Sequence, residues 1–532
     1  MNQHAYPQAK PERESKAALF LITELERPVG GLSRFATELL ASWKEAQAAA
    51  KTEYEPIVLA MHDPSMPLSD LVPAQKFAEL TIAYPQLSVH KAERGGVTCY
   101  FLEAKMPVEE CNSFFGELYE KYRIRSERSS QDAYYRTLAT FWKYAPIVAD
   151  YMQRKLGANI SVIDAQDWLS FPAGFLCREK LGKPLLCRFH SGEFGRSMGN
   201  PDAVSAPLDI EAAALATADF IQGVSISEMK FELYNLAGRK RQICAEVAPR
   251  MPQGWLDAQE RRDEKFEEFL LLESDGLEMV GEYCAGIPNG IILEQWKNVH
   301  LADIFKGKEL LKGMLQKKGH VLFIGRPERR KGIDELLVAF DQLRGKDIGL
   351  VISSSMSGAD YDGLVARIRS MRLESSVAVH NGWLSDPAKR SLLCAADVVA
   401  LPSLYEPFGL VTLEVLAADL ACEENGAVGP VAIVGANGGM NEVIRNGVNG
   451  FKAPMASQFA LRPDHLARII AMSCCDTVLR ARISKGGAER VQSPYFDWHY
   501  IVLRIHECYR RAGRNHSHQG ASYKKGVNCT WL

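Results

Sequence analysis

Short apolar runs alternate with amphipathic stretches along most of this 532-residue chain. Residues 18–22, 56–61, 161–164, 184–190 and 220–225 read as one series of buried strands. Residues 320–325, 348–353, 377–381, 398–401 and 430–435 form a second series. β-rich runs bounded by turn residues and separated by helical periodicity predict parallel sheets covered on both faces. Two such series predict two doubly wound α/β domains, over 17–299 and 300–493, joined near the stretch 286–296. Between 66 and 150 the strand pattern lapses. Phe114, Tyr119, Tyr134, Tyr135 and Trp142, set among charged residues, predict helices that elaborate the first domain. The charge-rich stretch 253–281 also predicts a helix. Near the end, Trp498, Ile501, Val502, Ile505 and Tyr509 recur at helical spacing and predict a helix over 494–512. The polar residues 1–16 and the tail 513–532, rich in His, Ser, Gly and Lys, are expected to be disordered.

Composition narrows the class. Hydrophobic residues at 47% and charged residues at 24% are ordinary for a globular protein. Sixty-three basic against 65 acidic side chains create no global field for nucleic acid or an anionic membrane. No apolar run approaches the ~20 residues that span a bilayer, and the N-terminus lacks the apolar core of a secretory signal. Twelve cysteines are scattered, and only Cys474 and Cys475 adjoin. Without a Cys-x-x-Cys pair, neither zinc nor a disulfide framework is expected, and a cytoplasmic location fits.

The most informative stretch is 401–414, LPSLYEPFGLVTLE. A short strand ends in a Pro-Ser turn. Glu406 and Glu414 then bracket a Pro-Phe-Gly elbow that leads into an apolar helix. Carboxylates at a strand end and in the next helix face the crevice where an open α/β sheet takes its ligand. Gly409 lets backbone approach that ligand, and the helix start offers free N–H groups. The plainer alternative is an acidic helix start favoured by the macrodipole. A second stretch, 321–336, reads VLFIGRPERRKGIDEL: a strand, a basic loop and a helix start. Arg326 can fork onto phosphate oxygens, and Lys331 supplies a compact charge. Arg329 and Arg330 read as a solvated loop.

Together these segments resemble the retaining nucleotide-sugar glycosyltransferases of the GT-B fold, two Rossmann-like domains facing a cleft. The resemblance spans about residues 20 to 510 and is strongest over 318–452. It implies that Glu406 holds donor-sugar hydroxyls, that Glu414 holds the ribose, and that Gly409 and Leu410 line the donor. Arg326 and Lys331 would neutralise the leaving diphosphate, so that no metal or other cofactor is required. Gly438 and Gly439, in VAIVGANGGMNEVIRNGVNGF (431–451), match a further anion-cradling turn, with Glu442 after it. An unusual insertion, 422–429, precedes that strand.

Weaker matches lie in the first domain. Gly30, Gly31 and Leu32 resemble the Gly-Gly-Leu element of glycogen and starch synthases, with Pro28 where those enzymes usually carry lysine. VIDAQDWLSFPAG (162–174) resembles their His-x-His-Asp-Trp element, with Asp164 and Gln166 in place of the histidines. Gln166 there is a candidate sugar contact. Asp167 reads as a helix cap and Trp168 as wall. PLLCRFHSGEFGR (184–196) places His190 at a strand end, as a donor or acceptor contact or as a hydrogen-bonded loop histidine; Arg196 is a weaker candidate. The pair Asp360 and Asp362 mimics a metal-binding Asp-x-Asp but follows Gly358 in a helix-start context, so capping explains it.

The resemblance implies transfer of a glucosyl unit from ADP- or UDP-glucose to an α-glucan. Small-molecule, lipid or other saccharide acceptors are the alternative, and a GT-B scaffold that binds nucleotide or glucan without turnover is a third reading. The oligomeric state is not legible in the chain.

Overall fold

The structure, a computed structural model, describes residues 16–25, 31–49, 52–62, 70–125, 132–200, 205–273 and 276–523. Residues 1–15, Pro28 and Gly30 lie outside the described residues.

The first lobe is built on β1 (Lys16–Ile22), β2 (Tyr54–Met61), β3 (Val72–Pro73), β4 (Leu87–Arg94), β5 (Val97–Ala104), β6 (Ile160–Gln166), β7 (Leu185–Phe189), β8 (Phe220–Gly223), β9 (Met279–Val280) and β10 (Cys284–Gly286). They form one sheet in the order β3-β4-β5-β2-β1-β6-β7-β8-β10-β9. Its centre is parallel, while β3, β4 and β9 join antiparallel at the edges. The second sheet is parallel throughout, ordered β13-β12-β11-β14-β15-β16, from β11 (Gly319–Ile324), β12 (Ile348–Ser354), β13 (Val377–Asn381), β14 (Val398–Leu401), β15 (Val431–Gly435) and β16 (Phe451–Ala453). Central strands such as β12 are buried along their whole length, which explains why they read as continuous apolar runs. The chain therefore has two α/β lobes, as the two strand series predict.

Three expectations change. The stretch 66–150 holds not only the helices Val108–Tyr122 and Ala133–Lys155 but also β3, β4 and β5. In β4, Leu87 and Val89 are buried on one face and Ala92 on the other, while Ser88, Lys91 and Glu93 are exposed, so the strand lacks a clean alternation and its charges hide it. In 253–281 the helix ends at Leu271 and β9 follows. The C-terminal helix runs Trp498–Tyr523, so residues 513–523 are ordered helix rather than tail. Its extension is anchored: Ala512 is buried, Asn515 donates to the carbonyls of Asp219 and Glu282, and His516 contacts the Asp219 carboxylate. The residues 422–429 prolong the helix Leu410–Glu424 before a turn into β15.

The C-terminal helix crosses from the second lobe onto the first. Trp498, Ile501, Val502, Ile505 and Tyr509 pack with Phe35, Leu39 and Trp43 over β1 and β2. Each fully buried aliphatic side chain there contributes roughly 1.5–3 kcal/mol. Among the described residues no helix is long and apolar enough to cross a membrane.

Candidate functional site between the lobes

In the second sheet the central neighbours β11 and β14 send their following segments to opposite sides. That is the switch point at which open α/β sheets bind ligands. The loop after β11 carries Arg326 to Lys331, and the loop after β14 carries Tyr405 to Gly409. Lys331 Nζ lies 2.5 Å from Glu406 Oε2, which also accepts from Ser403 Oγ at 3.1 Å. Burial by itself would raise the Glu406 carboxyl, but Lys331 and Arg330 outweigh it and hold the group below its ordinary value. Burial depresses the Lys331 ammonium. Arg326 is 58% exposed and pairs with Glu328 at 3.0 Å, so its guanidinium reaches open solvent.

Gly409 adopts φ +85°, opening the helix Leu410–Glu424 in a conformation that a side chain would strain. Leu410 is its first residue. Glu414, one turn on, is 3% exposed and bound by two cations. Lys389 Nζ approaches it at 2.7 Å, and Arg34, from the first-lobe helix Gly31–Ala48, reaches it across the cleft. Burial opposes the Glu414 charge, but Lys389 and Arg34 keep its carboxyl depressed. Gly31 sits at the start of the same helix; a Cβ there would lie 4.0 Å from Leu410 Cδ1.

Gly438 and Gly439 have a different task from the one expected. The Gly439 N–H donates to the carbonyls of Glu406 and Pro407, so it is not free for an anion. A Cβ on Gly438 would stand 1.9 Å from the Glu406 carbonyl. The pair is glycine because the Glu406 elbow lies directly on it. Glu442, after this turn, crosses the cleft to accept the N–H groups of Ile226 and Ser227 at 3.2 and 2.5 Å, at the start of the first-lobe helix Ile226–Val247.

On the first-lobe side, His190 opens the loop after β7, its ring edge-on to Phe35 at 4.3 Å. Its Nε2 is 2.9 Å from Gln166 Oε1, while Gln166 Nε2 donates to Asp164 at 2.6 Å. Burial and then Arg188 push the imidazole well below its ordinary value, so it is neutral. Gln166 is fully buried, with both ends of its amide engaged. It therefore lies behind His190 rather than against a sugar. Asp164 is held by Arg188 and by Tyr509 of the crossing helix, each at 2.7 Å, a buried network tying that helix to the sheet.

Asp167 caps no helix with its side chain. It sits at φ +55°, and its Oδ1 accepts the N–H groups of His190 and Ser191 at 2.6 and 3.3 Å. Burial pushes its carboxyl up to about 7. Trp168 is buried and donates to Glu193 at 2.9 Å. Arg196 is 3.3 Å from the same Glu193. Asp360 lies in the first turn of the helix Gly358–Ser370, its N–H bound by the capping Ser357 Oγ at 3.2 Å, as helix-start chemistry requires.

Sequence reasoning missed Arg34, Lys389, Tyr405 and Glu228. Arg34 carried one signal, its place three residues beyond Gly31. Tyr405 adjoins Glu406. Lys389 and Glu228 gave none, since only the fold brings them to the cleft. It also passed over Trp383, 62% exposed on the loop after β13 at this same edge.

Residues 312–489 match the family described as "Glycosyl transferases group 1". Glycogen synthase of Mycobacterium tuberculosis is 27% identical over 277 residues, 49% of this chain and 60% of that protein, so the match spans less than two thirds of that relative. Two solved structures share the fold. The catalytic domain of starch synthase IV from Arabidopsis thaliana, bound to ADP and acarbose, superposes with TM-score 0.60 at 16% identity, covering 94% of this chain and all of that one. Sucrose-phosphate synthase from Thermosynechococcus elongatus gives TM-score 0.58 at 19% identity, covering 93% and 98%. The chain thus has the GT-B fold, and residues 312–489 of its second lobe match the group 1 glycosyltransferase family, with glycogen synthase among its relatives at low identity.

Proposed function

We propose that this protein moves a glucosyl unit, with retention at the anomeric carbon, from ADP- or UDP-glucose to a hydroxyl of an α-glucan. The supporting observation is the Lys331–Glu406 pair, 2.5 Å apart on the two loops at the switch point of the second sheet. A departing diphosphate needs fixed positive charge, and the sugar beside it needs hydrogen-bond acceptors. This pair offers one of each at a single spot.

In this reading Lys331 and exposed Arg326 take up the diphosphate charge, so the scheme needs no metal. Glu406 orients the sugar through its hydroxyls. Glu414 takes the ribose, with the Trp383 indole as a flat apolar surface for the base. The acceptor hydroxyl attacks from the face that the diphosphate leaves. The carbon–oxygen bond to the diphosphate breaks as the new one forms, and a diphosphate oxygen takes the acceptor's proton. Neutral His190 lends a hydrogen bond rather than a charge. Contact between the lobes excludes water and protects the donor from hydrolysis.

The glycogen synthase match and the starch synthase likeness support a glucan acceptor. The likeness to sucrose-phosphate synthase keeps a small-molecule acceptor as the alternative. Nucleoside diphosphate release from ADP- and UDP-glucose, with glycogen or a panel of small acceptors, decides between them. Release that depends on glycogen supports the proposal, and release that depends on a small acceptor supports the alternative. No release with any acceptor, despite nucleotide binding, replaces both with a binding scaffold.

A further inference from the structure

Four successive backbone N–H groups, those of residues 190–193, each donate to a buried carboxylate. Asp167 takes His190 and Ser191, Glu228 Oε1 takes Gly192 at 2.9 Å, and Glu211 Oε1 takes Glu193 at 2.9 Å. The three acids come from the turn after β6 and from the helices Ser205–Thr217 and Ile226–Val247. They grip the loop that carries His190 and Arg196. Glu228 does more than the others, because its Oε1 also accepts the hydroxyl of Tyr405 at 2.7 Å from the opposite lobe. Tyr405 immediately precedes Glu406. Its ring lies so close to the loop that a Cβ on Gly195 would stand 2.2 Å from it. One carboxyl oxygen thus joins the donor elbow of one lobe to the His190 loop of the other.

We propose that Glu228 is a positioning residue that acts in its protonated, neutral form, coupling lobe closure at Tyr405 to the placement of the His190 loop; its kinetic consequences rest on the transferase reading above. The groups facing it are overwhelmingly acidic: Asp167, Glu193, Glu211, Glu232 and, across the cleft, Glu406. Arg196 answers this charge at Glu193, on the exposed rim. Among the described residues Glu228 Oε2, Glu211 Oε2 and both oxygens of Glu232 have no hydrogen-bond partner, although all three residues are at most 1% exposed. Several carboxylates packed together away from water cannot all ionise. Burial first, and then neighbouring Asp167 and Glu406, push Glu228 up to about 8 even against its two hydrogen bonds. Glu211 and Glu232 are raised as well, by burial and by the surrounding acids. A neutral carboxyl keeps its carbonyl oxygen Oε1 for Gly192 and Tyr405 and carries its proton on Oε2, the oxygen that accepts from no described group. Ionisation adds a charge beside the surrounding acids, which the Gly192 and Tyr405 hydrogen bonds alone do not offset.

Glutamine mimics the neutral acid, so Glu228→Gln and Glu228→Ala separate the roles. Two readouts are needed: kcat and KM for diphosphate release over pH 6 to 9.5, and amide hydrogen exchange of residues 190–193 in the ligand-free protein. Glu228→Gln is expected to keep wild-type kcat at pH 7 and to abolish the fall in kcat that wild type shows above about pH 8. Glu228→Ala is expected to lose kcat by up to ~10²-fold, as misplacement of a reacting group does, with little change in donor KM. The exchange protection of Gly192 should follow the same order, and in wild type it should weaken through the same pH range. Tyr405→Phe should lower kcat while leaving that protection intact. If Glu228→Gln is as impaired as Glu228→Ala, or retains the alkaline fall, the proposal is wrong. If wild type releases no diphosphate, the transferase reading fails, yet the exchange data still decide whether a neutral Glu228 holds the loop.

Discussion

The ammonium of Lys331 lies 2.5 Å from a carboxylate oxygen of Glu406, joining the loops that leave β11 and β14. In the absence of donor each group satisfies the other, and a bound donor would separate their tasks, with phosphate on the cation and sugar hydroxyls on the anion. Lys331→Ala is expected to cut turnover by ~10²-fold, as loss of a fixed electrostatic stabiliser does. Steady-state diphosphate release measures it, and a loss smaller than about threefold would count against the leaving-group role.

Arg34 occupies the carboxylate that the ribose is proposed to use. Arg34→Ala should therefore tighten binding of ADP or UDP, by up to about fivefold if this partly exposed pair is worth roughly 1 kcal/mol. Titration calorimetry reads the change. Weaker binding would mean that Arg34 holds the nucleotide instead of competing with it.

Gln166 joins Asp164 to His190 through both ends of its amide. Gln166→Leu would leave two buried polar groups without partners, at about 1–3 kcal/mol each, seen as a lower Tm together with reduced turnover. Gln166→His, which keeps a donor and an acceptor in place, should preserve or raise activity. Loss of activity without loss of stability in the histidine variant would contradict the placement of this segment.

Asp219 is bound by Arg178 at 2.8 and 2.9 Å and by His516 at 3.2 Å. Burial opposes its charge, but these partners hold the folded-state carboxyl well below 3.8. A depressed carboxyl contributes stability that is complete above its unfolded value and is lost as pH falls through the folded one. Asp219→Ala should cost about 3–5 kcal/mol near neutrality, as removal of one partner from a buried pair does. Its deficit in denaturant unfolding should shrink as the solution is acidified below pH 3.8. A deficit that does not depend on pH would show that the charge is not what holds the C-terminal helix.

The parallel strands were legible because burial on both faces writes them as unbroken apolar runs, as in β12 and β15. The hairpin of β4 and β5 was not, because its charges fall on both faces, Lys91 and Glu93 on the side of Leu87 and Val89 and Glu103 on the other, so no clean alternation shows. Residues 513–523 were misread for a related reason. Their composition is polar, and what orders them is hydrogen bonding by Asn515 and His516 to a distant strand end. Glu406, Glu414, Lys331 and Gly409, the residues proposed to meet the donor, could be picked out because they lie in two short motifs that follow β11 and β14. Gln166 and Asp167 were found but given the wrong tasks, since a sequence shows neither burial nor which backbone an acid will grip. Arg34 and Lys389 meet Glu414 only through the fold.

The central claim is tested most directly by a crystal structure of the protein with UDP-glucose or ADP-glucose bound. The expected result puts the β-phosphate oxygens within hydrogen-bond reach of Lys331 Nζ and the Arg326 guanidinium, sugar hydroxyls on Glu406 and the ribose on Glu414. A donor bound with its phosphorus atoms remote from both cations would contradict it.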